Sequence, residues 1–291
     1  MLKNVKPNVI NKNVIINTFV KMKITFYKYQ GTGNDFVLLD NTGSKKLNLT
    51  MEQISKICNR KFGVGSDGVI VINDSINHDF SMIFHNPDGT QSFCGNGARC
   101  AVLFANEIGI LKNSPCSFEA IDGVHKAYVC QGEVKLEMSH IGDIQHIENN
   151  NGIADIANSY FIDTGSPHVV SYIEKESELE HIIDIGRKIR YSDVYSAQGV
   201  NVNLIKTINS SCISIATYER GVENETLSCG TGATACALIH AKHMNTDNTL
   251  IEVQTKGGEL KVSFERVEGE RFSNVHLIGP AKLIFNGEIE V

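Results

Sequence analysis

Two stretches of this chain repeat one another, Cys94-Gly-Asn-Gly-Ala-Arg-Cys-Ala and Cys229-Gly-Thr-Gly-Ala-Thr-Ala-Cys, both of the form Cys-Gly-x-Gly-Ala. A repeat of this kind points to a chain built of two similar halves. Each copy follows strand-like sequence and precedes an apolar helical pattern, near Ala98–Ile108 and Ala233–His243, so each cysteine is expected at the entrance of a helix. Unpaired backbone N–H groups and the positive end of the helix dipole attract anions there and lower a thiol's pKa. The glycines allow a sharp turn and leave the N–H groups open to a small anion such as a carboxylate. Two such entrances facing across a cleft would hold one carboxylate and present a thiol on either side of it.

That geometry suits inversion of a carbon next to a carboxylate. The proton must leave from one face and return on the other, which one base cannot readily do, so one cysteine acts as thiolate and the other as thiol. Fixed helix-terminal donors in a dry site stabilise the carbanionic transition state in place of an electron sink.

The rest of the sequence narrows the choice of chemistry. With 291 residues, 42% hydrophobic and 21% charged, the chain is a globular protein. No apolar run of about 18 residues and no secretory signal appear, so a cytoplasmic protein without a membrane partner is expected. A net charge of -6 with scattered lysines and arginines excludes a nucleic-acid stripe. The eight cysteines hold no Cys-x-x-Cys pair, and Cys58, Cys100, Cys116, Cys130, Cys212 and Cys236 are expected to be structural. The histidines lack zinc-ligand spacing. The turns at Gly31-Thr-Gly-Asn-Asp and Gly63-Val-Gly-Ser-Asp-Gly match neither a dinucleotide fingerprint nor a P-loop. No setting for a pyridoxal Schiff base is apparent, so neither metal nor cofactor is expected.

Strands are expected near Ile24–Tyr29, Phe36–Asp40, Val69–Ile72 and Phe80–His85, with a helix near Thr50–Arg60, and then short strands to Met138. Residues 139–159 read as loop, with the run 148–152 as the break between halves. The second half repeats this pattern, with strands near Tyr160–Asp163, His168–Ile173, Val200–Ile205 and Ile213–Glu219, a helix near Leu179–Ile189, and strands near Leu250–Gln254, Leu260–Phe264 and Val275–Ile278. Residues 1–21 read as a tail, or as sequence upstream of a start at Met22.

Eight ordered motifs, from Met22 to the C-terminus, resemble the diaminopimelate epimerase family: Tyr29-Gln-Gly-Thr-Gly-Asn-Asp-Phe-Val, Phe62-Gly-Val-Gly-Ser-Asp-Gly, Asn86-Pro-Asp-Gly, Cys94-Gly-Asn-Gly-Ala-Arg-Cys, Gly165-Ser-Pro-His, Gly199-Val-Asn-Val, Tyr218-Glu-Arg-Gly and Cys229-Gly-Thr-Gly-Ala. The resemblance implies an α+β (mixed α/β) fold of two similar domains, residues 22–138 with 280–291 and residues 139–279. Each would be a mixed, mainly antiparallel sheet curled around a central helix, with the active site in the cleft between them. It implies cofactor-independent interconversion of LL- and meso-diaminopimelate, in lysine and peptidoglycan-precursor biosynthesis.

By the same resemblance Cys94 and Cys229 match the acid/base pair, and Gly95, Asn96, Gly230 and Thr231 match the residues that bind the reacting carboxylate. Asn34, Asn86, Asn201, Glu219 and Arg220 match the other substrate contacts, and His168 with Glu219 matches residues that tune the thiols. Arg220 offers a planar fork for the distal carboxylate and Glu219 an acceptor for the distal ammonium. Two positions depart from the family pattern: Ser166, where many members have Asn, and Gly68, where some have Gln. The alternatives are a proline or hydroxyproline racemase of the same superfamily, which would not need the Tyr218-Glu-Arg-Gly motif, and a thiol redox or metal-binding protein. The assembly state is open, with a homodimer as the candidate.

Overall fold

The computed structural model describes residues 22–147, 158–245, 247–268 and 271–291. The expected tail, 1–21, and the break at 148–152 lie outside these. The first half runs β1 (Lys23–Gly31), β2 (Asn34–Asn41), α1 (Met51–Cys58), β3 (Gly68–Asn73), β4 (Phe80–His85), α2 (Gly95–Glu107), β5 (Cys116–Ala120), β6 (Gly123–Cys130) and β7 (Glu133–Glu137). The second runs β8 (Gln145–Ile147), β9 (Ser159–Asp163), β10 (Pro167–Tyr172), a 3-10 turn (Glu176–His181), α3 (Ile182–Arg190), β11 (Asn201–Asn209), β12 (Cys212–Glu219), β13 (Asn224–Thr226), α4 (Gly230–His243), β14 (Leu250–Thr255), β15 (Gly258–Val267), β16 (Arg271–Pro280) and β17 (Lys282–Glu290).

The pairing pattern is the same twice. Antiparallel β1–β2, parallel β2–β3, antiparallel β3–β4, parallel β4–β5 and antiparallel β5–β6–β7 recur as β9–β10, β10–β11, β11–β12, β12–β14 and β14–β15–β16. Parallel neighbours need a crossover, and α1, α2, α3 and α4 each supply one. β7 pairs with β16 and joins the two halves into one sheet, with Leu136 opposite Leu277. β17 returns to pair with β1, as β8 pairs with β9. Met22 and Val291 exchange two backbone hydrogen bonds of 3.0 Å.

Each half-sheet wraps one central helix. α2 touches β1, β2, β3, β4, β6 and β7, and α4 touches β9, β10, β11, β12, β14, β15 and β16. These helices are buried on all sides over Asn96–Ala105 and Gly232–Ala241, which explains why their sequences are apolar all round and rich in Ala, Gly and Cys. The strands alternate between two cores. Phe36 and Leu38 face α2, while Val37 and Leu39 face Ile54 and Ile57 of the outer helix α1. On the other half, Val170 and Ile205 face α4, while Val169, Val202 and Leu204 pack with Ile182 and Ile189 of α3.

The fold is therefore the expected mixed α/β arrangement of two repeated domains. Both central helices start three residues earlier than their apolar runs, at Gly95 and Gly230, because glycines hide a helix start. The helix expected near Leu179–Ile189 divides into the 3-10 turn and α3, β8 lies inside the expected loop, and β17 adds a strand beyond those expected. Cys130 is exposed, whereas Cys58, Cys100, Cys116, Cys212 and Cys236 are buried. Among the described residues no helix is long and apolar enough to cross a membrane.

Leu238 of α4 is fully buried among strands of the second half. Leu238→Ala should lower the unfolding free energy by about 2–5 kcal/mol in urea titrations, with the m-value unchanged.

Candidate active site

Cys94 and Cys229 are the N-cap residues of α2 and α4, both in extended backbone conformation, φ -137° and -122°, ψ 116° in each. Their carbonyls accept the first helical bonds, from Ala98 N–H and Ala233 N–H at 2.8 Å. The N–H groups of the residues between them have no acceptor inside the helix. The two entrances share one floor. A Cβ on Gly95 would lie 3.9 Å from Leu277 Cδ2 and 4.0 Å from Leu136 Cδ2, and one on Gly230 would lie 2.7 Å from Leu277 Cδ2. Asn96 ties the halves together by donating from Nδ2 to the Ser228 carbonyl at 3.1 Å.

Around Cys229 the partners form a chain. Its sulfur accepts from Gly232 N–H at 3.4 Å and lies 3.4 Å from Thr231 Oγ1. Thr231 Oγ1 is 2.9 Å from His168 Nε2, and His168 Nδ1 is 2.8 Å from Asn203 Oδ1. Asn203 Nδ2 donates to Thr217 Oγ1 at 2.7 Å. That bond aims the Asn203 carbonyl at His168, so Nδ1 carries the imidazole proton and Nε2 takes the hydrogen of Thr231, whose oxygen is left to accept from the Cys229 thiol. Burial depresses His168 to about 4, against a hydrogen bond donated to Asn203 that raises it, so the ring is neutral near pH 7. Asn201 lies 3.5 Å from His168 Nε2; its Nδ2 donates to Ser166 Oγ at 2.8 Å and its Oδ1 accepts from Arg220 N–H at 2.8 Å.

Around Cys94 the partners differ. The thiol donates to Asn34 Oδ1 at 3.6 Å, and Asn96 Nδ2 donates to the same oxygen at 3.4 Å. Asn34 Nδ2 donates to Asp67 Oδ2 at 2.5 Å.

Helix-entrance thiols are expected to have lowered pKa values, and the opposite holds. Burial pushes Cys94 up to about 11 and Cys229 up to about 12. The carboxylate of Glu219 raises both further, which puts it in the field of both sulfurs, while N–H groups of each helix entrance pull only partly the other way. Desolvation outweighs the helix end because the entrances are packed against each other rather than open to water. Burial also raises Glu219 itself.

Two of the sequence candidates hold their own loops instead. Asn86 donates from Nδ2 to Thr90 Oγ1 at 3.1 Å and accepts from Ser92 Oγ at 3.3 Å, and the exposed Arg220 donates from Nη1 to the Gln198 carbonyl at 2.9 Å. At Gly68 a Cβ would lie 2.2 Å from Phe84 Cε2 and 2.6 Å from the His85 carbonyl, so Gln does not fit there without a backbone shift. Sequence reasoning missed Asn203, Asp67, Thr32 and Arg99. Asn203 lies two residues from Asn201 on one strand, a spacing that puts both on the same face and is a readable signal. Thr32 and Gly33, at φ +50° and +86°, form the β1–β2 turn. Threonine is unusual in that conformation. Its buried hydroxyl accepts from Arg99 Nη2 at 2.9 Å and lies 2.8 Å from Ser228 Oγ, which docks the turn onto the second half.

A cavity of about 560 Å³ lined by Asp143, Lys242 and Arg271 lies near the far end of α4, about 20 Å of helix from Cys229, and takes no part in this arrangement.

The diaminopimelate epimerase family matches this chain over residues 26–147 and again over residues 160–284. The chain belongs to the diaminopimelate epimerase family. It is 42% identical over 269 residues to the diaminopimelate epimerase of Flavobacterium psychrophilum, covering 90% of this chain and 99% of that protein. It is 39% identical to that of Chlorobaculum tepidum, covering 89% and 98%. Among solved structures it resembles a Bacillus anthracis phenazine biosynthesis protein of the PhzF family, with TM-score 0.69 and 16% identity over 93% of this chain and 100% of that one. It also resembles a hydroxyproline epimerase from Agrobacterium vitis, with TM-score 0.63 and 13% identity over 92% and 93%. At those identities the two structures bear on fold alone.

Two expectations follow for this diaminopimelate epimerase family member. A Cβ on Gly232 would lie 2.6 Å from Asn203 Nδ2 and 3.3 Å from His168 Cε1. Gly232→Ala should therefore displace the Asn203–His168 pair and cost about 1–3 kcal/mol in thermal or urea unfolding. His168 is depressed to about 4 in the folded state against 6.5 for the free side chain, so the unfolded chain binds its proton first as pH falls. Stability should drop between pH 6.5 and 4 by on the order of 3 kcal/mol from this residue, and His168→Asn should flatten that limb in unfolding titrations.

Proposed function

We propose that this chain interconverts LL- and meso-2,6-diaminopimelate without a cofactor, using Cys94 and Cys229 as the two bases, in lysine and peptidoglycan-precursor biosynthesis. The observation that carries the reading is the meeting of two helix entrances, one from each half, over the Leu136–Leu277 pair, each capped by a cysteine. The reacting carboxylate would sit on the helix-entrance N–H groups of Gly95, Asn96, Gly230 and Thr231, where helix ends stabilise the charge that builds up as the α-proton leaves. The thiolate on one face removes that proton to become a thiol, and the thiol on the other face donates its own, so the protein ends with its one negative charge moved from one sulfur to the other.

With both thiols held at about 11 and 12 by burial, a cation is needed to create the thiolate. The ammonium of the substrate meets that need as it enters beside Glu219: a positive charge within a few ångströms favours ionisation, and the thiol gives its proton to water before the site closes. Closure of the site to water then strengthens every one of these interactions. Arg220 would receive the distal carboxylate, a small-molecule contact that requires it to leave Gln198.

The test is direct. The reduced protein should convert LL-diaminopimelate to the meso form, resolved by chiral chromatography, and Cys94→Ala and Cys229→Ala should each abolish it. In heavy water, early meso product should carry deuterium at the inverted carbon while the unreacted LL pool remains largely unlabelled. Equal early labelling of both pools would replace two bases with one, and turnover by either alanine variant near the wild-type rate would overturn the assignment.

A further inference from the structure

The amide of Asn34 presents unlike atoms at its two ends, and the end that faces Cys94 decides whether the sulfur meets an acceptor or a donor. Asp67 makes that choice. A carboxylate can only accept, so the Asn34 atom 2.5 Å from Asp67 Oδ2 is the N–H₂ group, and the carbonyl is left for the Cys94 thiol at 3.6 Å.

Asp67 is itself held from several sides. Its Oδ2 accepts Asp35 N–H at 3.1 Å, its Oδ1 accepts Arg60 Nη2 at 2.8 Å, and its own N–H donates to the Asp35 carbonyl at 2.8 Å. Arg60 also grips the Asp35 carboxylate through two nitrogens at 2.6 and 3.0 Å, and the buried Lys28 meets it at 2.5 Å. Burial pushes the Asp35 carboxyl up, but the bonds from Arg60 and Lys28 outweigh it and hold it at about 2, so Asp35 stays ionised beside them. The second half gives Cys229 a different partner in this role, the Thr231 hydroxyl.

We propose that Asp67 is a positioning residue of the reaction: by pinning the amide of Asn34 it keeps an acceptor against the Cys94 sulfur and so holds and orients the Cys94 proton. The claim rests on the two-cysteine reading above, and it adds a residue that touches neither sulfur nor substrate. Besides Asn34, Cys94 faces the charge of Glu219 from β12, Cys229 from α4, and Arg99 and the Asn96 and Gly97 N–H groups of its own helix, all of which substitution of Asp67 leaves in place.

The test compares Asp67→Asn with Asp35→Asn in the full-length protein. Both remove one negative charge from the Arg60 cluster, but only the first frees the Asn34 side chain to turn its N–H₂ toward sulfur. Alkylation of Cys94 by iodoacetamide, followed across pH by peptide mass spectrometry, needs no turnover and reads the thiol directly. In Asp67→Asn the midpoint should fall by about one pH unit more than in Asp35→Asn, and kcat for meso formation should fall by about 10–100-fold with little change in KM, the loss expected of a misaligned acid/base group. Asp35→Asn should instead lower the melting temperature, because it removes the counter-charge of the buried Lys28.

Equal midpoints in the two variants, or a wild-type midpoint in a folded Asp67→Asn protein, would overturn the proposal. Should Asp67→Asn not fold, Arg60→Met, at a side chain 59% exposed, loosens the same carboxylate and should shift the midpoint in the same direction; no shift there is equally fatal. A wild-type protein that forms no meso product would refute the epimerase reading while leaving the alkylation result to judge Asp67 alone.

Discussion

The antiparallel pairing of β7 with β16 is the contact on which the site depends, because it is the seam at which one half of the sheet becomes the other. Leu136 and Leu277 face each other across it, and both central helices begin over them. Two helix ends of like dipole would ordinarily repel. Here they are held together by the burial of two largely apolar helices, and the electrostatic cost is concentrated where an anion can relieve it. The site is thus a place where the packing of the fold and the electrostatics of its helices oppose each other, as functional sites commonly do.

The same packing explains the thiols. Removing water from the seam raises both cysteines more than the helix ends lower them, so the protein's own groups leave neither sulfur charged near neutral pH. That arrangement makes ionisation depend on a ligand that brings its own positive charge. His168, neutral and fully buried, serves as a fixed acceptor that orients the Thr231 hydroxyl.

Much of this is legible in the sequence. The Cys-Gly-x-Gly-Ala echo announces two halves and two helix entrances, and the unbroken apolar run Phe36–Leu39 suits a strand buried on both faces. What cannot be read there depends on partners distant in sequence. Asp67 meets Asn34 across 33 residues and His168 meets Asn203 across 35, and neither pairing leaves a local periodicity. β17 pairs with β1 from the opposite end of the chain, and its Asn-Gly step reads as a turn. The motif gives the wrong sign for the thiol shifts because the helix dipole is visible in a motif, whereas desolvation is a property of everything packed around it.

The unequal surroundings of the two sulfurs, a carbonyl acceptor at Cys94 and a hydroxyl with a backbone N–H at Cys229, have a consequence for the order of events. On the two-base reading each turnover leaves the proton on the opposite sulfur, so the site that holds product is a different protonation isomer from the one that held substrate. The product complex carries a memory of the direction it has just run, until the departing ligand takes its positive charge away and the remaining thiolate regains a proton. Because the two isomers sit in unlike hydrogen-bonding frames, they differ in free energy, and the proton shift within the site is favoured in one direction over the other. A pair of near-symmetric halves performing a near-symmetric inversion is therefore, in its handling of protons, a ratchet with unequal teeth.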